Sequence, residues 1–364
     1  MNRINAEHIS LVGTYRENEK TVRKPGVRDP YFDNIKGVLI MLVVIGHFLL
    51  PMSFTRLVWA LFFWIYLFHM PMFVMISGYF AKGVWRDGQF QGRKVLQLLW
   101  LYLLFKLAVH IPENLAAGTP ITQPINFFYE GGAPWYLLAM VWWYLSVPFL
   151  TKMKPWLVMI TAVAISLVFG YQLVIDSNLA LDRTFAFLPF FYCGYYLKEE
   201  WVRRYRKRCK RWLFAAEAVI LSIALVLGNQ DMWGRYQAIV YGMDYRNLLP
   251  ELIPWGGVIR GVQYVLAVIM VLGTMAVIPR KETILTGIGK RTMQIYILHR
   301  LLRDMLQYWG FYTVFTSQYR KNVVFVIVLA VVVTFALGNS WIAKGFQLLQ
   351  HVPDYCLARW RQNN

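Results

Sequence analysis

The chain has 364 residues, of which 58% are hydrophobic and 17% aromatic, and its formal net charge is +19. Such composition, with only 16% charged residues, excludes an ordinary soluble protein and indicates a polytopic membrane protein. The three cysteines, Cys193, Cys209 and Cys356, form no CxxC pair, and their odd number argues against a disulfide framework.

The hydropathy pattern predicts an all-α fold, a membrane helix bundle of about ten transmembrane helices. Several apolar runs are shorter than the ~20 residues that a crossing helix needs, so flanking aromatic residues are expected to extend them. No cleavable signal peptide is visible, and the first span is expected to act as a signal anchor. The predicted spans are 35–50, 57–78, 95–111, 135–150, 156–175, 185–197, 212–227, 258–278, 292–309 and 323–343.

Basic residues are distributed unevenly between the two sets of predicted loops. Of the 38 Lys and Arg residues, 27 lie in the N-terminal segment and every second region after it, and 6 lie in the opposite loops. The positive-inside rule therefore predicts a cell-membrane protein with both termini in the cytoplasm. The basic run 198–211 is interpreted as a contact with lipid headgroups and not as a nucleic-acid site. We expect a flexible cytoplasmic segment (1–30), a transmembrane domain (31–345) and a cytoplasmic tail (346–364).

The first predicted span places two ionisable residues, Lys36 and His47, in an apolar helix. They are 11 positions apart, close to three full turns, so both side chains project from one face, about 16 Å apart along the axis. Ionisable residues at membrane depth are costly and normally face a protein interior or a watery cavity. This pair is therefore the first candidate for a functional site. Asp33, three residues before Lys36, is expected to cap the helix, with pairing to Lys36 as the alternative.

Further histidines lie in later spans. Counted from the ends of their helices, His47 and His69 reach the same depth and can share a cavity, where histidine suits proton transfer. The alternative is that each imidazole is a hydrogen-bonded packing residue. Ser77, in the motif FVMISGYF, is a weaker candidate next to a glycine that permits close backbone approach. No HExxH or paired Cys/His spacing is present, so no metal or heme site is predicted.

Span nine carries a cluster of charged residues. His299 and Arg303 are one turn apart on one face, and Arg300 and Asp304 share the next face, where they can neutralise each other. Arg303 is predicted to lack a local partner and is a candidate contact for an anion or a substrate. Arg260, near the outer end of span eight, is a similar candidate.

The loops offer weaker candidates for binding. Residues 112–134 are rich in proline and glycine and are predicted to form an irregular re-entrant or capping loop, and 228–257 combine aromatic and acidic residues that suit sugar rings. An interfacial aromatic belt is the alternative. Candidate acceptor contacts are Trp135, Trp233, Tyr241 and Arg260. Arg93, Lys94, Lys290 and Arg291 could bind the phosphates of a donor on the cytoplasmic side, or could act only as topology signals.

Five segments resemble the acyltransferase-3 family of integral-membrane O-acyltransferases, in particular its fucose 4-O-acetylase-like branch. They occur in the family's order, and the first is the most specific because it has a basic residue, ten intervening positions and a histidine. Arginine is more usual at that basic position, and Lys36 fits the acetylase-like branch. The segments are YFDNIKGVLIMLVVIGH (31–47), YLFHMPMFVMISGYF (66–80), APWYLLAMVWW (133–143), FLPFFYCGYYLK (187–198) and GIGKRTMQIYILH (287–299).

The resemblance implies transfer of an acetyl group from acetyl-CoA, as a substrate and not a bound cofactor, to a hydroxyl of a cell-surface or lipid-linked carbohydrate. It implies a catalytic role for His47, as general base or acyl relay, a supporting role for Lys36, and less defined roles for His69 and His299. A multi-pass transporter or flippase is the alternative, since buried ionisable residues also suit translocation. No repeated hydropathy pattern supports that alternative. The acceptor, the acylated position and the oligomeric state are left open.

Overall fold

The computed structural model describes residues 29–52, 55–86, 88–172, 177–207, 212–227, 230–314 and 320–363. Most of these residues are helical. The strands among them form a short antiparallel pair, β1 (Trp85–Arg86) and β2 (Gln89–Phe90). The predicted N-terminal segment, 1–30, falls almost wholly outside the described residues. The helices are α1 (Pro30–Leu49), α2 (Arg56–Phe80), α3 (Gly92–Ala117), α4 (Trp135–Leu150), α5 (Pro155–Phe169), α6 (Leu181–Tyr196), α7 (Glu199–Lys207), α8 (Trp212–Leu227), α9 (Gln230–Tyr241), α10 (Gly256–Val277), α11 (Ile284–Gly289), α12 (Thr292–Tyr308), α13 (Arg320–Leu337), α14 (Ser340–Gln350) and α15 (Val352–Asn363).

The apolar helices confirm a polytopic membrane bundle. Within the described ranges, four helical segments are long and apolar enough to cross a bilayer: α1, α2, α3, and α10 together with the turn before it. A fifth is present if α13 and α14, which meet at 64°, count as one broken span. The helices α4, α5 and α8 are apolar but shorter. Each predicted span overlaps a helix, while the number of ten crossings stays a prediction.

Three boundaries differ from the sequence prediction. Predicted span ten, 323–343, is interrupted after Leu337, where Asn339 accepts a hydrogen bond from Trp341 N and caps α14. The predicted outer loop 228–257 contains α9, and the predicted loop 112–134 begins with the last turn of α3. The segment 346–364, predicted as a cytoplasmic tail, contains the end of α14 and α15, and its side of the membrane stays a prediction. The sequence predicts loops at α9 and at the last turn of α3 because their apolar periodicity extends over too few residues to indicate a helix.

The start of α1 is joined to α11 by side-chain contacts. Asp29, and not Asp33 as predicted, caps α1 by accepting from Tyr31 N. The cap falls at Asp29 because Pro30 occupies the first helical position, and the cap is the residue immediately before it. The Asn34 amide bridges the segment before α11 by donating to the carbonyls of Pro279 and Lys281, at 2.9 Å each.

Glycines allow α2 and α6 to cross in close contact. A Cβ atom on Gly78 would overlap the carbonyl of Phe191, and one on Gly194 would overlap the carbonyl of Met75. The glycine in the SGYF segment is therefore required by packing, as predicted for close backbone approach. This crossing holds α2 and α6 together beside the cavities described below.

The last helix returns to the start of α3. Arg93 and Gln97 both donate to the carboxylate of Asp354 on α15, and His351 lies 2.8 Å from the same carboxylate. These contacts hold the pKa of Asp354 well below its usual range, with the hydrogen bond from Arg93 as the largest cause. The C-terminal segment is therefore tied to the end of the bundle that carries most basic residues.

Candidate active site

A central cavity of about 330 Å³ lies among α1, α2, α4, α6, α9 and α12. It is lined by His47 and His69, which the sequence placed at one depth, together with aromatic rings and two arginines. Its lining residues of interest are His47, Tyr66, His69, Trp135, Arg183, Gln237, Tyr241, Tyr296 and Arg300. The predicted meeting of His47 and His69 in one cavity is therefore observed.

His47 is oriented by a second histidine. Nδ1 of the fully buried His299 lies 2.8 Å from the Ile295 carbonyl, which can only accept, so this nitrogen carries the proton of the neutral ring. Nε2 of His299 then accepts from Nδ1 of His47 across 2.7 Å. This hydrogen-bond chain leaves Nε2 of His47 as the unprotonated nitrogen of a residue that lines the cavity. The arrangement suits a general base whose tautomer is fixed by its neighbour.

His69 repeats the local geometry of His299. Its Nδ1 lies 2.7 Å from the carbonyl of Ile65, one turn earlier in α2, so its other ring nitrogen is an acceptor. The ring packs edge to face against Tyr66, with centroids 4.8 Å apart. His69 is 3% exposed and contributes to the cavity wall opposite α12.

An aromatic and cationic wall closes another side of the central cavity. Arg183 is 6% exposed, its guanidinium lies 5.5 Å from the centre of the Trp135 ring, and it donates to the Gly131 carbonyl at 2.9 Å. Trp135 stacks on Phe187, and Tyr241 meets Tyr66 edge to face. Flat rings next to hydrogen-bond donors are the surfaces that sugar rings contact.

The loop before α4 is held by a buried carboxylate. Glu130 accepts from Lys106 and from Gly132 N, each at 3.0 Å. Burial raises the pKa of Glu130, and the neighbouring Lys106 opposes that shift. The Lys106 ammonium thereby helps to fix the loop whose Gly131 and Gly132 line the central cavity.

A second, smaller cavity of about 110 Å³ lies along α1 toward Lys36. This inner cavity is lined by Lys36, Ser77, Tyr136 and Thr292. Its remaining lining includes Val43, Met70 and Tyr296, which also line the central cavity. Lys36 and His47 therefore lie on one face of α1 but belong to two adjacent cavities with a common wall.

Polar groups of the inner cavity are already in contact. The Lys36 ammonium lies 2.8 Å from the Asp33 carboxylate and 5.3 Å from the centre of the Phe80 ring. Ser77 is hydrogen-bonded to the Tyr136 hydroxyl. Asp33 therefore pairs with Lys36, which was the alternative to capping the helix. Ser77 lines the inner cavity, and its hydroxyl is bonded to Tyr136.

Arg303 does not lack a local partner, contrary to the prediction. Its guanidinium contacts the Asp304 carboxylate and also reaches Gln307. Arg300 pairs with Asp304 at 2.8 Å, as its spacing predicts, and with Glu113 at 3.0 Å. The prediction was wrong because the long arginine side chain reaches the carboxylate of the next residue, which projects from a neighbouring face of the helix. Arg300 lines the central cavity, while Arg303 does not.

Arg260 lies away from both cavities. It is 1% exposed, donates to the carbonyls of Ser166 and Met243, and lies 4.6 Å from the centre of the Tyr245 ring. These contacts join α5, α10 and the segment after α9. A buried arginine that satisfies main-chain carbonyls carries the same sequence signal as one that binds a substrate.

The predicted donor contacts also lie outside both cavities. Arg93 bonds Asp354, Lys94 donates to the carbonyl of Gly83, Lys290 is near Glu282, and Arg291 donates to the carbonyl of Gly338. Of the acceptor candidates, Trp135 and Tyr241 line the central cavity. Trp233 falls on α9, and its side chain lies outside the described part of the chain.

Sequence reasoning missed Arg183 and Tyr296 as cavity residues. Arg183 had a signal, because a basic residue at the start of an apolar run is unusual. Tyr296 also had one, since it is three residues before His299 and projects from a neighbouring face of α12. Within the described residues, no group of three or more His, Cys, Asp or Glu side chains could hold a metal ion.

Comparison with known proteins identifies the family. A family model described as an acyltransferase domain, that of the acyltransferase-3 family, matches residues 29–339. The nodulation protein NolL of Mesorhizobium japonicum is 28% identical over 227 residues, which is 57% of this chain and 57% of that protein. The nodulation protein NolL of Sinorhizobium fredii is 35% identical over 159 residues, which is 38% of this chain and 42% of that protein.

The chain thus matches about half the length of these curated relatives. No solved structure matches it. The family model, in contrast, runs from the cap of α1 to the break between α13 and α14 and includes every residue that lines the two cavities. On this match the chain belongs to the acyltransferase-3 family of membrane acyltransferases.

Proposed function

We propose that this protein is a membrane O-acetyltransferase that moves an acetyl group from cytosolic acetyl-CoA to a hydroxyl of a carbohydrate. The observation that carries the proposal is the hydrogen-bond chain from the Ile295 carbonyl through His299 to His47. It leaves an unprotonated nitrogen on an imidazole that lines a cavity with aromatic walls. Family membership supplies the acyl-transfer chemistry that such a base would serve.

His47 would act as the general base. Its Nε2 takes the proton of the acceptor hydroxyl as the oxygen attacks the thioester carbonyl and forms a tetrahedral intermediate. When that intermediate collapses, the C–S bond breaks, and the protonated His47 returns the proton to the leaving CoA sulfur. His299 would accept the Nδ1 hydrogen bond throughout and keep the ring in its orientation. One acetyl ester and one free thiol result.

The donor would enter through the inner cavity. The basic regions predicted to face the cytoplasm suit a large, multiply anionic molecule. The thioester would reach His47 past the wall formed by Val43, Met70 and Tyr296, in which Met70 is the flexible member. Lys36 would orient the donor arm at the entrance.

The acceptor would bind on the other side of this wall. Trp135 and Tyr241 offer faces to the C–H surfaces of a sugar ring, while Arg183 and Gln237 offer hydrogen-bond donors to its hydroxyls. We place the protein in the cell membrane with both termini in the cytoplasm, on the charge distribution of its loops. The acceptor would then come from the outer side.

The test is acetyl transfer by purified His47→Ala protein. Loss of a positioned base should reduce CoA release from acetyl-CoA about 100- to 10,000-fold while the protein keeps its thermal stability. His110→Ala is the matched control, because His110 bonds the Ile121 carbonyl outside the central cavity and should leave turnover unchanged. Near-normal turnover of a stable His47→Ala protein would remove His47 from catalysis. Absence of CoA release from the unmodified protein would favour the transporter alternative.

A further inference from the structure

The two arginines that line the central cavity differ in their partners. Arg300 contacts two carboxylates, those of Asp304 at 2.8 Å and Glu113 at 3.0 Å. Arg183 pairs with no carboxylate among the residues that the structure describes, and the described lining of this cavity contains no Asp or Glu. The cavity therefore has one cation that is neutralised by the protein and one that is not.

The carboxylates closest to Arg183 along the chain and in the neighbouring loop are bound by other groups. Asp182 accepts from the Ser177 hydroxyl at 3.0 Å and from the next main-chain N–H at 2.7 Å. Glu130 accepts from the Lys106 ammonium and from a main-chain N–H of its own loop. Neither carboxylate is hydrogen-bonded to the Arg183 guanidinium.

The guanidinium of Arg183 is held by main-chain carbonyls and an aromatic ring. It donates to Gly131 at 2.9 Å and to Gly132 at 3.4 Å, and it lies 5.5 Å from the centre of the Trp135 ring. Its Nε has no hydrogen-bond partner among the described residues, and the side chain is only 6% exposed. Burial of a cation is costly unless an anion completes its surroundings. Arg260 has similar contacts but lines neither cavity.

The backbone that carries Arg183 is not optimised for helix stability. Leu179 and Ala180, directly before α6, have φ angles of 52° and 54°, in the left-handed region that side chains disfavour. The indole of Trp142 holds this turn by donating to the Leu179 carbonyl at 3.1 Å. Arg183 then falls in the first turn of α6, where the helix dipole opposes a cation and attracts an anion. Both features favour an anion-binding role.

The predicted topology assigns this cation to the acceptor side. The start of α6 belongs to the outer regions, which carry 6 of the 38 Lys and Arg residues, so Arg183 does not act as a topology signal. Acetyl-CoA, which is also anionic, is proposed to enter from the inner side. The anion that Arg183 meets therefore belongs to the acceptor.

We infer that Arg183 binds an anionic group of the acceptor, so that the acetylated carbohydrate carries a carboxylate or a phosphate. The inference rests on the proposed function and narrows its acceptor from carbohydrates in general to acidic ones. A planar guanidinium can offer parallel N–H groups to either anion. Trp135 next to it offers a face to the sugar ring, and the ring is held at its charged end while a hydroxyl approaches His47.

The experiment compares charged and neutralised glycans of the source cells as acceptors. The glycans are freed of acetyl esters with mild alkali and divided into three preparations: untreated, carboxyl-reduced with carbodiimide and borohydride, and dephosphorylated with hydrofluoric acid. Purified protein in nanodiscs receives radiolabelled acetyl-CoA and each preparation. Carboxyl reduction for a carboxylate, or dephosphorylation for a phosphate, should raise the half-saturating glycan concentration about 10- to 100-fold, the effect of one lost charge-assisted hydrogen bond.

Arg183→Gln separates anion binding from a structural role. It removes the charge and should raise the half-saturating concentration of the untreated glycans about 10- to 100-fold, with that of acetyl-CoA unchanged. The variant should also lose its sensitivity to the treatment that weakens the unmodified protein, whereas a structural defect would affect all preparations equally. Arg235→Gln is the matched control, because Arg235 is exposed on α9 and does not line the central cavity. It should behave as the unmodified protein.

The inference and the proposed function fail in different ways. If neither treatment changes labelling by the unmodified protein, the acceptor is neutral at this site, and the inference falls while the proposed function stands. This comparison needs no variant, so it remains decisive if Arg183→Gln does not fold. A stable Arg183→Gln protein that keeps its sensitivity to the treatment would also overturn the inference. Labelling of none of the three preparations would overturn both.

Discussion

His47 and Lys36 occupy the same face of α1 but serve different cavities. Eleven positions of helix place their side chains about 16 Å apart along the axis. That distance is too large for both to touch one reacting carbonyl, and Lys36 is bound to Asp33 at 2.8 Å. In the proposed mechanism, the basic residue of the motif would therefore serve the donor entrance, and the histidine would serve the chemistry.

Substitution of His299 should test its role as a positioning residue. His299→Leu removes the acceptor for Nδ1–H of His47 and should reduce turnover by a factor of about 100 or more, because the ring loses its fixed tautomer. His299→Gln offers a side-chain oxygen as acceptor and should recover a substantial part of the activity. The measurement is the turnover number with saturating acetyl-CoA. Equal activity in the two variants would contradict the positioning role.

Substitution of Lys36 should separate donor binding from stability. Lys36→Met leaves the Asp33 carboxylate, 1% exposed, without this cation and should destabilise the protein by about 3 kcal/mol. The double variant Asp33→Asn with Lys36→Met should recover most of the thermal stability and still require more acetyl-CoA for half-maximal rate. Lys36→Arg keeps the charge and is the control. If the stable double variant binds acetyl-CoA normally, Lys36 has only a structural role.

Among the single elements, α12 contributes to both cavities and also bonds the histidine of α1. Thr292 and Tyr296 line the inner cavity, Tyr296 and Arg300 line the central cavity, and His299 bonds His47. These residues follow the spacings that bring side chains to one side of a helix. The N-terminal turn of α12 is fixed by Gln294, which donates to the carbonyl of Leu337 at the break between α13 and α14.

The crossing of α2 and α6 should be sensitive to one added methyl group. Gly78→Ala would force its Cβ into the Phe191 carbonyl and should destabilise the protein by about 2 kcal/mol, with loss of activity because α2 also carries His69. Gly261→Ala is the matched control. It lies in α10 with no atom within 4 Å of an added Cβ, so alanine should be neutral or slightly stabilising. Thermal unfolding of both variants in detergent makes the comparison, and equal melting temperatures would contradict the packing argument.

Across the whole molecule, the positions of the two cavities set the direction of the proposed reaction. The inner cavity lies toward Lys36 and the start of α12, and the central cavity lies toward α9 and the loop before α4. In the proposed mechanism, their common wall would lie between the donor side and the acceptor side, and the acetyl group would pass from one to the other at this wall.

Sidedness should be visible as cysteine accessibility in intact cells. After Cys193, Cys209 and Cys356 are replaced, a single cysteine at Thr122 should react with a membrane-impermeant maleimide, because its loop lies outside in the predicted topology. A single cysteine at Lys281 should react only after the membrane is permeabilised. Both side chains are exposed, so burial does not limit the reaction. Labelling in the opposite sense would invert the topology and with it the proposed entry of acetyl-CoA.

The class of fold followed from the sequence alone, and so did the common helix face of Lys36 and His47. Long apolar runs require helices in a bilayer, since each backbone polar group must be satisfied within its own segment. The spacing of Lys36 and His47 required a common face, and the structure places both on cavities. Short-range rules sufficed because each of these conclusions depends on one helix alone.

Which polar residues belong together depends on how the helices pack. The sequence gives Arg260 and Arg183 the same description, yet one satisfies carbonyls away from the site and the other lines the central cavity. His47 and His299 are 252 positions apart, and their hydrogen bond depends on how α1 and α12 pack. The break after Leu337 and the position of α9 depend likewise on contacts between helices. Partners distant in the chain are fixed by packing, and periodicity within one helix carries no record of them.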